Sequence, residues 1–485
     1  MSDPLFFESA VGLARRLRDR EVSALEVAEA FLRRIDEENP RINAFTTVTH
    51  DLALEAARKC DDAAAAGRSL GALHGVPVAI KDLGEARAGV RSTYGSSPMR
   101  QYVPTETSLF IQRLEDAGAV IVGKTNAPEF GHKGVTDNFV SGPTRNPFDT
   151  TRNSGGSSGG AAAAVAAGMV PFAQGTDGGG SVRIPASWCG VYGLKPSFGR
   201  IADVTRPNAF LTGSPYSSVG TLARSVGDAA LLLSAMAGPH PRDPLSLPEL
   251  ATPLTDIRPH GLRGKRVGFS ADLGGFPVDP RVAAVVEDSL GVLKRAGAVI
   301  ETVDVRLPAD QYDLSLLWKR LMGVLYADSL TGLLEEGYDL MGKHIGELTP
   351  AFRDMVISAQ RQSALQTRED ERLRSAVLDS IEDAFDGFDF LVTPTLAVTA
   401  VENRTDGLTT GPAKVGDVQV DPSIGWCLTY PFNFTGHPAA SLPAGFLDGL
   451  PVGLQVIGRR HDDAGLLAAS AAFERRSPWM HSYPA

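Results

Sequence analysis

Residues 75–81, GVPVAIK, and 117–122, AGAVIV, are short apolar runs rich in β-branched side chains and bounded by glycine or proline, the pattern of buried strands. Between them, Leu109 to Ala117 places its apolar residues at helical spacing. The unit therefore reads strand, helix, strand and predicts an α/β fold. On the N-terminal side, Ala10 to Ile35 and Leu52 to Ala66 are amphipathic with a helical period and predict surface helices. On the C-terminal side, Leu391 to Thr393, Ala439 to Pro443 and Gly453 to Ile457 are further candidate strands, so the sheet draws on both ends of the chain. From Pro239 to Gly264 the composition shifts to Pro, Asp and Leu without periodicity. A fresh unit follows, with Arg266 to Phe269 and Val299 to Val305 as strands around a helix from Arg281 to Ala296. A subdomain or large excursion is expected to begin there.

The chain has 485 residues, 47 basic and 57 acidic side chains, a net charge of −10 and 43% hydrophobic residues, which excludes a disordered or collagen-like protein. The acidic balance repels phosphate backbones and anionic membrane surfaces, and no basic patch offsets it, so neither nucleic acid nor membrane is an expected partner. Cys60, Cys189 and Cys427 lie far apart and form no C-x-x-C pair. No metal site, cofactor or disulfide framework is indicated, and a reducing cytoplasm suits them. Arg15, Arg16, Arg18 and Arg20 interrupt the N-terminal apolar pattern where an export signal would be uninterrupted. The longest uncharged run, between Arg152 and Asp177, opens with glycine and serine and is broken by Pro171, so it reads as a buried helix and not as a membrane span.

Two glycine tracts carry the chemistry. Asn153 to Gly160, NSGGSSGG, leads directly into Ala161 to Ala167, a strong helix former, so a Gly-Ser loop feeds a helix N-terminus. Gly175 to Ser181, GTDGGGS, sets three glycines before a serine, which lets the backbone turn its N–H groups toward one point as an oxyanion hole requires. Either tract alone is an ordinary flexible turn. Two of them, with Ser157 and Ser181 24 residues apart around an uncharged alanine helix, point to nucleophilic catalysis. A serine hydroxyl needs a base, and none of the nine histidines adjoins a glycine tract. Lysine can serve if burial lowers its pKa, and Lys81 ends the apolar run GVPVAI that would carry it into the interior.

Gly75 to Asp82 (GVPVAIKD), Gly123 to Gly131 (GKTNAPEFG), Gly155 to Gly160 (GGSSGG), Gly175 to Pro185 (GTDGGGSVRIP), Cys189 to Pro196 (CGVYGLKP) and Asn433 to Ala439 (NFTGHPA) resemble the amidase signature family, in order and at its spacing. The resemblance spans almost the whole chain and is weakest from about Pro239 to Gly387. It implies a single large α/β domain over residues 1–485, with a central twisted mixed β-sheet covered by helices on both faces. An excursion or subdomain around 239–387 stays open. It further implies a Ser-cis-Ser-Lys triad: Ser181 as nucleophile, Ser157 as bridging serine behind a cis Gly156–Ser157 peptide, and Lys81 as base. The backbone N–H groups of Gly178, Gly179, Gly180 and Ser181 would receive the oxyanion, and the backbone at Gly131 would border the substrate. Asp177 and Arg183 flank the nucleophile and are expected to pair beneath the loop, holding the glycines. One departure is Gly178, where many members of the family carry Ile, Thr or Met. The implied activity is hydrolysis of a small-molecule amide through an acyl-enzyme. Homodimers are common among similar enzymes, and no feature of this sequence decides the matter.

Three other readings compete. Gly118 to Thr125, GAVIVGKT, matches the phosphate-loop pattern, but its four intervening residues form a strand where an open turn is needed. Gly155 to Gly159 fits the G-x-S-x-G nucleophile elbow, with Ser157 as nucleophile and His437 as a later base, but it lacks a preceding apolar strand and leaves GTDGGGS unused. A glutamine-hydrolysing catalytic chain of a tRNA-dependent amidotransferase keeps the family, though the stretch after Arg200, IADVTRPNAFLTG, does not resemble the RVSRYG-type continuation of those chains. Phe130, His132, Phe210, Trp318, Tyr326, Trp426 and Tyr430 are the aromatic candidates for pocket walls, and their weight points to a hydrophobic or aryl substrate. Amides, anilides, esters and carbamates share the tetrahedral chemistry, and the sequence does not choose among them.

Overall fold

The computed structural model describes residues 5–257 and 262–484. Its strands are β1 (Phe45–Val48), β2 (Pro77–Lys81), β3 (Val120–Thr125), β4 (Arg145–Asn146), β5 (Asp149–Asn153), β6 (Phe172–Asp177), β7 (Tyr192–Lys195), β8 (Ser218–Ala223), β9 (Arg266–Phe269), β10 (Val299–Thr302), β11 (Phe390–Pro394), β12 (Lys414–Val415), β13 (Val418–Gln419), β14 (Ala439–Leu447) and β15 (Leu450–Gly458). Eleven of them form one sheet in the order β1-β3-β2-β6-β8-β7-β14-β15-β11-β9-β10. It is mixed: β2 runs parallel to β3 and β6, and β9 runs parallel to β10 and β11, while the pairs between β6 and β11 along the sheet are antiparallel.

The strand, helix, strand unit read from the sequence is the parallel β2/β3 pair joined through the helix Leu109–Asp116. The strands expected near residues 391, 439 and 453 are β11, β14 and β15. In the central strands both faces are buried with period two. In β11, Phe390 and Val392 join one apolar cluster while Leu391 joins a second. The first cluster packs the helices Ala24–Ile42, Gly159–Ala166, Val226–Met236 and Asp463–Arg476 against the sheet. The second gathers the helices Gln311–Glu335, Pro350–Gln360 and Ala364–Ala384 around Phe352, Trp426 and Tyr430.

The structure departs from the sequence reading at the N-terminus. The N-terminal amphipathic stretch is two helices, Ala10–Arg18 and Ala24–Ile42. Arg20 takes a left-handed φ of 59°, and Ser23 starts the second helix with a capping box to Glu26. From 239 to 257 and from 262 to 264 no regular element forms, and residues 258–261 of that stretch lie outside the described residues. The unit beyond it adds β9 and β10 to the edge of the same sheet and contributes the long helices of the second cluster. Among the described residues no helix is long and apolar enough to cross a membrane, and no group of three or more His, Cys, Asp or Glu side chains could hold a metal ion.

Candidate active site

Lys81 is the last residue of β2, every residue of which is buried, so the strand carries its ammonium into the protein with no solvent exposure. Burial holds its pKa down to about 8, against the opposing pull of the Glu85 and Asp177 carboxylates. Nζ lies 2.8 Å from Ser157 Oγ and 2.8 Å from Thr176 Oγ1. Ser157 follows a cis Gly156–Ser157 peptide just before the helix Gly159–Ala166, all eight residues of which are buried. Ser158 ties the two tracts together: its N–H donates to the Ser181 carbonyl at 3.0 Å, and its hydroxyl donates to the Thr176 carbonyl at 3.2 Å.

The GTDGGGS tract leaves the end of β6 as a loop whose carbonyls are all held. Trp318 Nε1 donates to Gly178 O at 2.9 Å, Thr429 Oγ1 to Gly179 O at 2.6 Å, and the Ile184 N–H to Gly180 O at 2.6 Å. In a trans peptide the N–H opposes the carbonyl, so these three bonds orient the Gly179, Gly180 and Ser181 N–H groups. The Gly180 N–H is engaged by Asp177 Oδ1 at 2.7 Å, which leaves Gly178, Gly179 and Ser181 as the candidate oxyanion donors. Gly180 itself sits at φ 124°, and a Cβ there would fall 2.0 Å from Thr429 Oγ1, so no other residue fits. Gly178 is different. The atoms nearest an added Cβ there would be Ser217 Oγ at 3.4 Å and Met322 Cε and Sδ at 3.6 Å, ordinary contacts, so a side chain would fit and its absence leaves that space to the cavity.

Asp177 and Arg183 form a fully buried bidentate pair beneath the loop, at 2.9 Å (Nε to Oδ2) and 2.8 Å (Nη2 to Oδ1). The guanidinium also reaches Thr429 O, Gln455 Oε1 and Asn433 Oδ1, while Asn433 Nδ2 returns to Asp177. Burial alone would raise the Asp177 carboxyl, but Arg183, Lys195 and Asn433 together hold it down to about 2. Its share of the folding stability is therefore full above about pH 4 and is lost as pH falls through 2. Asp177→Asn leaves Arg183 buried without its counter-charge, and we expect a loss of about 3–5 kcal/mol by denaturant unfolding at pH 7. A loss under about 1 kcal/mol would mean that Asn433 and Gln455 suffice to hold the guanidinium.

A cavity of about 360 Å³ opens onto Ser157, Ser181, Gly131 and Gly178. Gly131, at φ 71°, approaches so closely that a Cβ would lie 3.1 Å from Ser157 Oγ. Of the seven aromatic candidates, Phe130, Trp318 and Tyr326 line the cavity and four do not. Phe210 is 65% exposed, His132 packs on Phe352, Trp426 stacks on Trp188, and Tyr430 is core and donates to Gln311 O. The sequence reading missed Tyr94, Leu83, Met322, Leu325 and Leu333 on the walls, and Thr176 beside Lys81. Trp318, Met322, Leu325, Ser329, Gly332 and Glu336 recur every three or four residues, one face of the helix Gln311–Glu335 and its cap. Apolar residues surround that helix, so no periodicity singled out this face.

The competing motifs have other roles. In GAVIVGKT, Val120–Thr125 is β3, buried throughout, and Lys124 Nζ bonds to the Glu85 carbonyl and, at 3.3 Å, to Ser92 Oγ. A short strand, β5, does precede GGSSG, but it belongs to a separate hairpin with β4. His437 is fully buried, bonded to Thr435 Oγ1 at 2.8 Å, stacked on Phe385 and 3.4 Å from Glu382, with no bond to Ser157. Burial and nearby cations hold its pKa down to about 3.

Comparison with known proteins assigns the family. The Amidase family profile matches residues 26–467. An acylamidase of Rhodococcus erythropolis is 37% identical over 487 residues, covering 99% of this chain and 98% of its own. A glutamyl-tRNA(Gln) amidotransferase chain of Moorella thermoacetica is 36% identical, with 99% of each chain covered. The crystal structure of a bacterial aryl acylamidase superposes with a TM-score of 0.96 at 40% identity over 99% of this chain and 98% of that one. With the family motifs matched along nearly its whole length, this chain belongs to the amidase signature family and is a hydrolase of amide C–N bonds.

Proposed function

We propose that the enzyme cleaves small aryl amides through an acyl-enzyme on Ser181, with Ser157 as bridge and Lys81 as base. The observation that carries this is the 2.8 Å contact between the buried Lys81 Nζ and Ser157 Oγ, at the floor of a cavity that also reaches Ser181. Neutral Lys81 takes the Ser157 proton as Ser157 takes that of Ser181, whose oxygen attacks the carbonyl carbon. The Gly178, Gly179 and Ser181 N–H groups receive the oxyanion, and the relay run backwards protonates the leaving amine. Water then releases the acid. Phe130, Tyr94, Trp318 and Tyr326 give the cavity the flat apolar walls that suit an aryl ring.

The similarity to amidotransferase chains supplies a second reading, glutamine hydrolysis. Arg206, at the rim, is the one basic side chain among the cavity-lining residues, against Glu85, Asp203, Asp328 and Glu336. Glutamine must seat an α-carboxylate as well as an α-ammonium, and among the lining residues the exposed Arg206 alone could pair that carboxylate, which favours the aryl amide reading. Amine release should therefore be measured from anilides, aliphatic amides, aryl carbamates and glutamine. Turnover of anilides is expected; activity with glutamine alone would transfer the assignment to the second reading. A fluorophosphonate should label one serine stoichiometrically, and peptide mass spectrometry should place it on Ser181. Labelling of Ser157 instead would refute the assignment of nucleophile.

Trp318 joins the cavity wall to the glycine loop through its bond to Gly178 O. Trp318→Phe keeps an aromatic wall and removes the donor. We expect kcat to fall about ten-fold with KM nearly constant, because the Gly179 N–H loses its fixed direction. A change confined to KM would make Trp318 a wall residue only.

A further inference from the structure

The cavity holds a feature that amide hydrolysis does not use. Glu85, four residues beyond Lys81, is 2% exposed, lines the cavity, and its Oε2 has no hydrogen-bond partner among the described residues. Asp203, half-buried on the same cavity, has a carboxylate that likewise accepts no hydrogen bond among the described residues; its bonds are those of its backbone, the N–H to Asp243 Oδ2 at 3.0 Å and the carbonyl from the Thr205 N–H at 3.2 Å. The other two cavity carboxylates are satisfied, Asp328 by Asn208 Nδ2 at 2.8 Å and Glu336 by the Tyr102 hydroxyl at 3.1 Å. An unpaired buried carboxylate is strongly unfavourable unless a cation or donor meets it. Lys124, a buried cation within electrostatic reach of Glu85, gives its hydrogen bonds to the Glu85 carbonyl and Ser92 and none to this carboxylate. Burial raises the Asp203 carboxyl to about 7, with Glu85 and Asp243 adding to the rise, so the two cavity carboxylates repel each other when the cavity lacks a cation.

We infer that Glu85 and Asp203 form a recognition site for a protonated amine on the substrate, so that the preferred amides carry an ammonium group on the arm away from the scissile bond. The inference rests on this cavity being the substrate site. Aromatic walls and a carboxylate pair together fit a molecule with one apolar ring and one cationic end. Lys81 must be neutral to act, so a substrate cation also replaces the positive charge that Glu85 loses when Lys81 gives up its proton.

Two isosteric pairs test this at about pH 7.5: 4-aminobutyric anilide against pentanoic anilide for the acyl arm, and acetanilide carrying para-aminomethyl against para-ethyl for the amine arm. In one pair the ammonium member should have a kcat/KM about ten-fold or more above its neutral partner. That ratio should fall close to one in Glu85→Gln and in Asp203→Asn. The ratio is the quantity read, since loss of fold lowers both members together, and Asp203→Asn decides if Glu85→Gln does not fold. Neutral members equal or better in both pairs, or a preference that survives in both variants, would overturn the inference. Binding is read separately: benzylammonium should slow fluorophosphonate labelling of Ser181 more than benzyl alcohol does. No labelling of Ser181 would count against the nucleophile, whereas labelling without ammonium protection would count against the Glu85–Asp203 site alone.

Discussion

Ser181→Ala is expected to lower kcat/KM for an anilide by about 10⁴ to 10⁶-fold, the loss that follows when a unit of nucleophile and base is broken. The substitution removes one oxygen from the lining of a cavity of about 360 Å³ and leaves the Asp177–Arg183 pair, the loop carbonyls and the aromatic walls in place. KM should therefore change little, and the loss should lie in kcat. The residual rate over water would come from the Gly178 and Gly179 donors, which need no nucleophile to polarise a carbonyl. The fluorophosphonate adduct should disappear in Ser181→Ala and persist, forming more slowly, in Ser157→Ala. A Ser181→Ala enzyme within about ten-fold of wild type would remove Ser181 from the mechanism.

Lys81→Ala is the second large effect, expected at about 10² to 10⁴-fold, the usual contribution of a positioned general base. Its loss has a pH signature. Burial places the Lys81 pKa at about 8, and the base is the neutral form, so activity rises with pH as the ammonium loses its proton. The wild-type kcat/KM should climb with unit slope from about pH 6 and level off above about 8. Lys81→Ala removes the titrating group, and the limb should flatten. Asp177, held at about 2, and His437, held at about 3, have finished titrating below the limb; Asp203, at about 7 on the same cavity, titrates within it, so the flattening in Lys81→Ala is what assigns the limb to Lys81. A wild-type profile flat between about pH 6 and 9 would contradict Lys81 as base.

Trp318 shows where inference along the chain stops. Its bond to Gly178 O crosses 140 residues of sequence, and nothing in the pattern of the helix Gln311–Glu335 marks the face that meets the loop. The same holds for Thr429, which holds Gly179 O from 250 residues away, and for the Glu85 and Asp203 carboxylates, 118 residues apart in the chain but on one cavity. Such pairings depend on how strands and helices pack, and the packing is set by buried area and shape with no counterpart in local spacing.

The features legible along the chain were local ones. The strand periods of GVPVAIK and AGAVIV, the helix-forming alanines after GGSSGG and the glycines of GTDGGGS each follow from backbone sterics and side-chain shape over a few residues. The first two reappear as β2, β3 and the buried helix Gly159–Ala166, and the third as the loop that leaves β6. Lys81 at the end of an apolar strand was legible for the same reason. Only the packing of distant segments determined that Lys81 Nζ meets Ser157 and Thr176, that the Gly180 N–H is taken by Asp177, and that Phe210, Trp426 and Tyr430 leave the pocket to Tyr94 and Met322. These outcomes depend on contacts whose energies exist only once the sheet has brought their segments together.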